Sequence, residues 1–272
     1  MNLESKVVLI TGAGRPNGIG AGIAKCFADE GAHVVVTDLS DQHFAEIQAQ
    51  VSEDTMCLVA DAADQREMQL TVNQIVERFG RLDVLVNNAG IGGDTMAFGD
   101  DENDNASAFM RLTEEAWDQN FEANLKTTFA STHAAIPALT DGGSIINIAS
   151  MAALQPARRL PAYGAAKAAV VHLTKTLSME LAPRRIRVNC ICPGLLYTRA
   201  WEILTERMKR TQPEFATLTN REIFNAVVRE ETPLGGEQTP QDVGNLAVFY
   251  ASDKARMITG QVVAVDGGIS VS

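Results

Sequence analysis

Positive charge is scarce in this chain: 23 Lys and Arg stand against 34 Asp and Glu, a net charge of −11 over 272 residues. No basic stripe is left to neutralise the phosphates of a nucleic acid, and an anionic membrane surface would repel it. Long apolar runs are missing as well, since no segment approaches the ~18 consecutive residues of a membrane span. The opening Met-Asn-Leu-Glu-Ser-Lys passes straight into an apolar strand, with no basic region, long apolar stretch or cleavage site of a secretory signal. These absences imply a cytoplasmic protein with no nucleic-acid or membrane partner.

Cysteine is sparse. Cys26, Cys57, Cys190 and Cys192 sit inside apolar patterns without zinc-type spacing, so buried reduced thiols and no metal centre are expected. Cys190 and Cys192 alternate with Asn189 and Ile191, as neighbours on one face of a strand would. There is also no linker, composition break or internal repeat, and residues 1–272 read as one domain. A hydrophobic fraction of 46% with 21% charged residues supplies a substantial core.

What is present is a regular alternation of strand and helix patterns. Lys6 to Thr11 is a short apolar run suited to a buried parallel strand. It leads into Gly12, Gly14, Asn17, Gly18, Ile19 and Gly20, then the helical pattern Ile23, Ala24, Phe27, Ala28. Strand, Gly-rich turn and helix N-terminus together make an anion site, where backbone N–H groups and the helix dipole face a phosphate.

His33 to Thr37 is the second strand, ending in Asp38, 18 residues beyond Gly20. A carboxylate there fits acceptance of hydrogen bonds from an adenosine ribose, and its charge would repel a 2′-phosphate. NAD is therefore favoured over NADP, with Arg15 as the residue that could reverse the preference. Met56 to Ala60 is a third strand, closed by Asp61 and Ala62 where an adenine edge would lie. Asp64 caps an amphipathic helix to Phe79, and Leu82 to Val86 is a fourth strand running into Asn87-Asn88-Ala89-Gly90.

Residues 92–111 break the pattern with an acidic, Gly/Asn-rich stretch that reads as a solvated excursion. Thr113 then caps a helix carrying Asn124 on to Ala135. Gly143 to Ala149 is the fifth strand, leading into Ser150. Arg187 to Cys192 is the sixth, ending in Pro193-Gly194, and Gly260 to Val265 is the last. Helical pieces within 195–231 follow a strand's carboxyl end, the edge where ligands bind in such sheets, and read as a substrate lid.

Between the fifth and sixth strands stands Ala149 to Lys167, A-S-M-A-A-L-Q-P-A-R-R-L-P-A-Y-G-A-A-K. Tyr163 and Lys167 are four apart in an Ala-rich helical run, so phenol and ammonium share one face. A cation beside a phenol favours the phenolate, the chemistry wanted of a general acid/base acting on an alcohol or ketone. Arg158 and Arg159, between serine and tyrosine, could meet an anionic substrate group.

Taken in order, Thr11-Gly12…Gly18-Ile19-Gly20, Asp61, Asn87-Asn88-Ala89-Gly90, Asn124, Ser150, Tyr163-x-x-x-Lys167, Asn189 and Pro193-Gly194 with Thr198 resemble the short-chain dehydrogenase/reductase family over nearly the whole chain. The resemblance implies a doubly wound, seven-stranded parallel sheet of Rossmann type, flanked by helices. It implies Tyr163 as catalytic acid/base, and Lys167 holding the nicotinamide ribose and favouring the phenolate. Ser150 would bind the substrate oxygen, and Asn124 would anchor a proton-relaying water. Pro193, Gly194, Leu196 and Thr198 would hold the nicotinamide end, and Asn88, Ala89 and Gly90 the adenosine side.

The expected reaction is hydride transfer between NAD(H) and a secondary alcohol or ketone. The alternatives are an NADPH-dependent carbonyl or acyl reductase and a non-catalytic nucleotide sensor. A homotetramer is implied through the Tyr163 helix and the C-terminal strand, with a dimer as the lesser assembly. One departure stands out: five residues lie between Gly12 and Gly18, an apparent insertion of Pro16 and Asn17. The longer loop resembles that of enoyl-acyl-carrier-protein reductases, whose Tyr–Lys spacing is longer than the one here.

Overall fold

The computed structural model describes residues 3–91, 108–158 and 160–271. Seven strands form one sheet: β1 (Val7–Thr11), β2 (His33–Asp38), β3 (Met56–Val59), β4 (Leu82–Asn87), β5 (Leu139–Ile148), β6 (Arg187–Pro193) and β7 (Val262–Val265). Their spatial order is β3-β2-β1-β4-β5-β6-β7, and every neighbouring pair is parallel. The chain reverses its direction of growth between β3 and β4, so β1 and β4 become central neighbours. That reversal creates a crevice at the carboxyl ends of the strands.

The helices are α1 (Ile19–Asp29), α2 (Phe44–Gln50), α3 (Gln65–Phe79), α4 (Ala108–Arg111), α5 (Glu114–Phe121), α6 (Thr127–Ala135), α7 (Pro161–Glu180), α8 (Arg199–Thr211), α9 (Asn220–Glu231) and α10 (Pro240–Ala251). Parallel strands are covered on both faces, which explains why β1 reads Val-Val-Leu-Ile-Thr without alternation and is buried at all five positions. Val8 and Ile10 pack with Ile23 and Phe27 of α1 and with Val243 and Ala247 of α10. Val7 and Leu9 point the other way, into Met68, Val72 and Ile75 of α3, Ala134 of α6 and Leu177 of α7. On the first face α1 and α10 approach closely, because a Cβ on Gly22 would run into Pro240 and one on Gly244 into Cys26.

Asp64 caps α3 as its position suggests, accepting from the N–H groups of Arg66 and Glu67. Two elements differ from their sequence pattern. β5 begins at Leu139 rather than Gly143, with a register shift against β4 between Leu82 and Val84, and Gly142 at φ 82° makes the bend. The helix expected from Thr113 to Ala135 is interrupted at Glu122–Lys126 by a π-helical turn that joins α5 to α6. Such turns insert one residue into a helix and frequently mark functional positions. The expected acidic excursion lies outside the described residues, apart from its end at α4. Among the described residues, no helix is long and apolar enough to cross a membrane.

Candidate active site

The carboxyl edge of the sheet gathers most of the residues singled out by sequence. β1 delivers the glycine turn. Gly12 adopts φ 63°, and a Cβ there would lie 2.6 Å from Ala89 Cα, so only glycine lets the turn rest on the end of β4. The Asn88 amide locks the two together, donating to Thr11 O at 2.9 Å and Gly12 O at 2.8 Å. Thr11 Oγ1 accepts from the N–H groups of Asn88 and Ala89 at 3.2 and 3.1 Å. Gly18 begins α1 in an extended conformation and offers no side-chain cap. The first-turn N–H groups of α1 are thus left to a ligand, and Gly20 keeps the helix start close to Asn88.

Asp38 stands half-buried at the end of β2 and Asp61 half-buried after β3. The Asp38 carboxylate accepts from Gly14 N–H and Leu39 N–H, each at 2.8 Å. Asp61 Oδ1 accepts from Ala63 N–H at 2.8 Å, a local turn that sets up the entry to α3. Ala62 is buried and offers its carbonyl to Ser131 Oγ at 3.3 Å. Asn17 is exposed at the tip of the glycine turn.

The π turn positions Asn124. Its side chain is fully buried, with Nδ2 donating to Asn120 O at 3.1 Å and Oδ1 accepting from Ile91 N–H at 3.2 Å. Gly90 separates this amide from the lysine: a Cβ on it would lie 2.8 Å from Asn124 Oδ1 and 3.1 Å from Lys167 Nζ. Lys167 is 5% exposed. Its Nζ donates to Ile148 O at 3.1 Å and lies 5.8 Å from the centroid of the Tyr163 ring. Burial pulls the Lys167 ammonium down to about 8, because an ion in a low-dielectric interior loses hydration that its neighbours do not replace.

Ser150 caps a short 3₁₀ turn, Met151–Ala153, its Oγ accepting from Ala152 N–H at 3.2 Å. Tyr163, Lys167, Asn124 and Ser150 therefore converge where β4, β5 and α7 meet. Beneath them Cys190 and Cys192 are fully buried, and all four cysteines are unbridged. The Cys192 thiol and burial together push the Cys190 thiol up.

β6 supplies the other wall. Gly194 N–H donates to Val265 O at 3.0 Å and to Gln238 Oε1 at 2.9 Å, fixing the turn after Pro193. Leu196 is buried, and Thr198 starts α8 with a hydroxyl that makes no capping bond. The stretch 195–231, expected to form a lid, contains α8 and α9. In α9, the Arg221 guanidinium lies 4.7 Å from the Tyr197 ring centroid and pairs with both oxygens of Glu237.

Some expected residues lie apart. Arg158 is exposed, and Arg159 falls outside the described residues. A cleft of about 330 Å³ is lined by Ala152 to Ala157 with Gly164, Ala165 and Ala168. Sequence reasoning passed over Thr127 and Arg221, and it placed Gly14 in the glycine turn without a partner. Thr127 Oγ1 donates to Ala89 O at 3.2 Å and so ties α6 to the turn after β4. Its one local signal is a spacing of three from Asn124.

The profile of the family described as Enoyl-(Acyl carrier protein) reductase matches residues 12–270. 3-Oxoacyl-(acyl-carrier-protein) reductase FabG of Thermotoga maritima is 33% identical, with 100% of both chains covered. (2S)-((R)-hydroxy(phenyl)methyl)succinyl-CoA dehydrogenase subunit BbsD of Thauera aromatica is 34% identical over 100% of this chain and 99% of the relative. The chain is a short-chain dehydrogenase/reductase. The crystal structure of levodione reductase superposes with a TM-score of 0.84 at 28% identity, covering 99% of each chain.

As an oxidoreductase of this family, the protein uses a nicotinamide cofactor. The residues present fit one. An uncapped helix start is ready for a diphosphate, and the carboxylate of Asp38 and the buried ammonium of Lys167 stand at opposite ends of the same crevice. Among the described residues, no group of three His, Cys, Asp or Glu side chains is placed to hold a metal ion.

Proposed function

We propose that this short-chain dehydrogenase/reductase transfers hydride between NAD(H) and a secondary alcohol or ketone, with Tyr163 as general acid/base. The observation that carries the reading is the buried Lys167 ammonium 5.8 Å from the Tyr163 ring, with Asn124 and Ser150 at the same strand edge. When bound, the cofactor accepts or supplies the hydride at C4 of its nicotinamide. In oxidation, Tyr163 takes the hydroxyl proton as hydride leaves the carbon. Lys167 stabilises the phenolate by its charge, and it holds the ribose hydroxyls with the protons not committed to Ile148 O. Ser150 Oγ donates to the substrate oxygen as charge develops there. Asn124, fixed through Asn120 O and Ile91 N–H, anchors a water that passes protons from Lys167 toward solvent.

Pro193, Gly194, Leu196 and Thr198 hold the nicotinamide. Gly12, Gly18, Ile19 and Gly20, with Asn17 at the loop tip, hold the diphosphate. Asp38 takes the adenosine ribose, and Asp61 with Ala62 borders the adenine. Asn88, Ala89 and Gly90 support this side of the groove, Asn88 chiefly by locking the glycine turn in place. Asp38 favours NAD because a 2′-phosphate would meet its charge.

The second reading, an NADPH-dependent carbonyl or acyl reductase, is favoured by exposed Arg15 beside Gly14 and by the acyl-carrier-protein substrate in the name of the FabG relative. The Tyr163-x-x-x-Lys167 spacing opposes the enoyl reductase chemistry in the matched family's description. Self-association accompanies the first reading. An apolar groove of about 760 Å³ along α5, α6 and α7, lined by Phe121, Leu125, Phe129 and Leu173, suits a second copy of the chain in a cytoplasmic homotetramer.

Initial rates over a panel of secondary alcohols, ketones and acyl thioesters, each with both cofactors, test the proposal. Turnover of alcohols or ketones with NAD(H) supports it. Turnover confined to NADPH and thioesters replaces it with the second reading, and tight NADH binding without turnover makes the protein a sensor.

A further inference from the structure

The two extra residues of the glycine turn have a defined place. Ala13 N–H donates to Thr37 O at 2.9 Å, carrying the β1–β2 pairing past the end of β1. Gly14 N–H then donates to Asp38 Oδ2, and Leu39 N–H to Asp38 Oδ1, both at 2.8 Å. Gly18 N–H returns to Arg15 O at 2.9 Å, closing a β-turn around Pro16 and Asn17. Proline favours the second position of such a turn, and Asn17 is not among the residues with positive φ, so the turn is type I rather than type II. The extension is thus confined to the turn's centre, while Gly14 stays attached to β2 and Gly18 to α1.

One backbone N–H on each oxygen fixes the plane of the Asp38 carboxylate and leaves further lone pairs on both oxygens for a ligand. There is no room for a side chain at position 14. A Cβ would lie 2.5 Å from Asp38 Cβ and 2.9 Å from both Cγ and Oδ2, so it would expel the carboxylate from its place. We propose that Gly14 is a specificity-determining positioning residue, which holds Asp38 in the orientation that accepts the adenosine ribose hydroxyls and turns away a 2′-phosphate. The proposal rests on the reading of Asp38 as the ribose acceptor. It adds that the charge of Asp38 is insufficient unless Gly14 orients it.

Calorimetric dissociation constants for NAD and NADP, measured without any alcohol, test this in wild type, Gly14→Ala, Asp38→Ala and the double variant. The expected wild type prefers NAD. Gly14→Ala weakens NAD by about tenfold or more, the scale of a lost hydrogen bond to a charged group, and does not weaken NADP. On the Asp38→Ala background, Gly14→Ala changes nothing further, as expected of two residues acting through one contact. Equal weakening of both cofactors by Gly14→Ala, an unchanged ratio, or additive effects would overturn the role of Gly14 while leaving Asp38 in place. A wild type that prefers NADP, or an unchanged ratio in Asp38→Ala, would overturn the ribose reading and the proposal with it. If Gly14→Ala does not fold, Asp38→Glu takes its place. It keeps the charge but moves the carboxylate one methylene beyond its seat on Gly14 N–H. Loss of NAD preference is expected, and full preference in Asp38→Glu would overturn the proposal.

Discussion

Replacing Lys167 by methionine should make the ligand-free protein more stable at neutral pH while removing its activity. Burial pulls the ammonium from its ordinary 10.5 to about 8. At about 1.4 kcal/mol per pH unit, that difference corresponds to a penalty of about 3 kcal/mol for keeping the charge inside the folded protein. Methionine fills a similar volume without the charge. It forfeits the bond from Nζ to Ile148 O, and leaving that carbonyl unsatisfied costs about 1–2 kcal/mol. The net expectation is a gain of about 1–2 kcal/mol at pH 7.

The sign with pH follows from proton counts. Between about 8 and 10.5 the unfolded chain holds a proton at Lys167 that the folded protein has released, so wild-type stability rises with pH across that window. Below about 8 both states are protonated and the penalty is complete. The methionine variant lacks this term, and its advantage should shrink as pH approaches 10. Urea melts of both proteins at pH 7 and pH 9.5, without cofactor, read the difference directly. A variant less stable than wild type at pH 7, or a gap indifferent to pH, would refute the reasoning.

At the opposite edge of the sheet, Asp83 is 2% exposed and accepts from Val7 N–H at 3.0 Å and Thr140 Oγ1 at 3.1 Å, with Arg81 and Lys6 paired to it. Burial works to raise its carboxyl, but those donors and cations hold it below the ordinary 3.8. Its contribution is full above that value and lost as pH falls through the folded one. Asp83→Asn should cost about 1–3 kcal/mol in urea melts and leave turnover per folded enzyme unchanged. Gly22→Ala should drive a methyl into Pro240 across the α1–α10 contact, costing about 1–3 kcal/mol of melt stability. Arg221→Ala should release α9 from Tyr197 and Glu237, raising KM for substrate several-fold at little cost in stability, since exposed pairs contribute under about 1 kcal/mol. An unchanged KM would mean that the lid is held elsewhere.

The sheet was legible because its signals are local. Val7–Thr11 is apolar throughout, the following turn carries its glycines, and the acids fall at strand ends, so strand count and crevice could be read without contacts. Tyr163 and Lys167 were legible for the same reason, since a spacing of four on a helix fixes their common face. The π turn at Asn124 was not, because one inserted residue barely alters the helical pattern of Thr113 to Ala135. Gly14 was legible only as one more glycine of the turn. Its partner is 24 residues away, and only the pairing of β1 with β2 brings Asp38 onto its N–H. The grip of Arg221 on Tyr197 and Glu237 is likewise set by tertiary packing, since these partners lie 24 and 16 residues away. Arg158 remained exposed because a charge beside an active-site helix needs no partner there except solvent.

Turnover and NADH affinity of Tyr163→Phe, measured side by side under saturating NAD with the best alcohol of the panel, test the catalytic proposal most directly. Loss of a positioned general acid/base lowers turnover by about 10²–10⁴-fold. The expected result is a loss of that size with NADH affinity within a few-fold of wild type, since the phenol's proton and not its bulk is what the reaction uses. Near-wild-type turnover in Tyr163→Phe would contradict the assignment of Tyr163 as the acid/base.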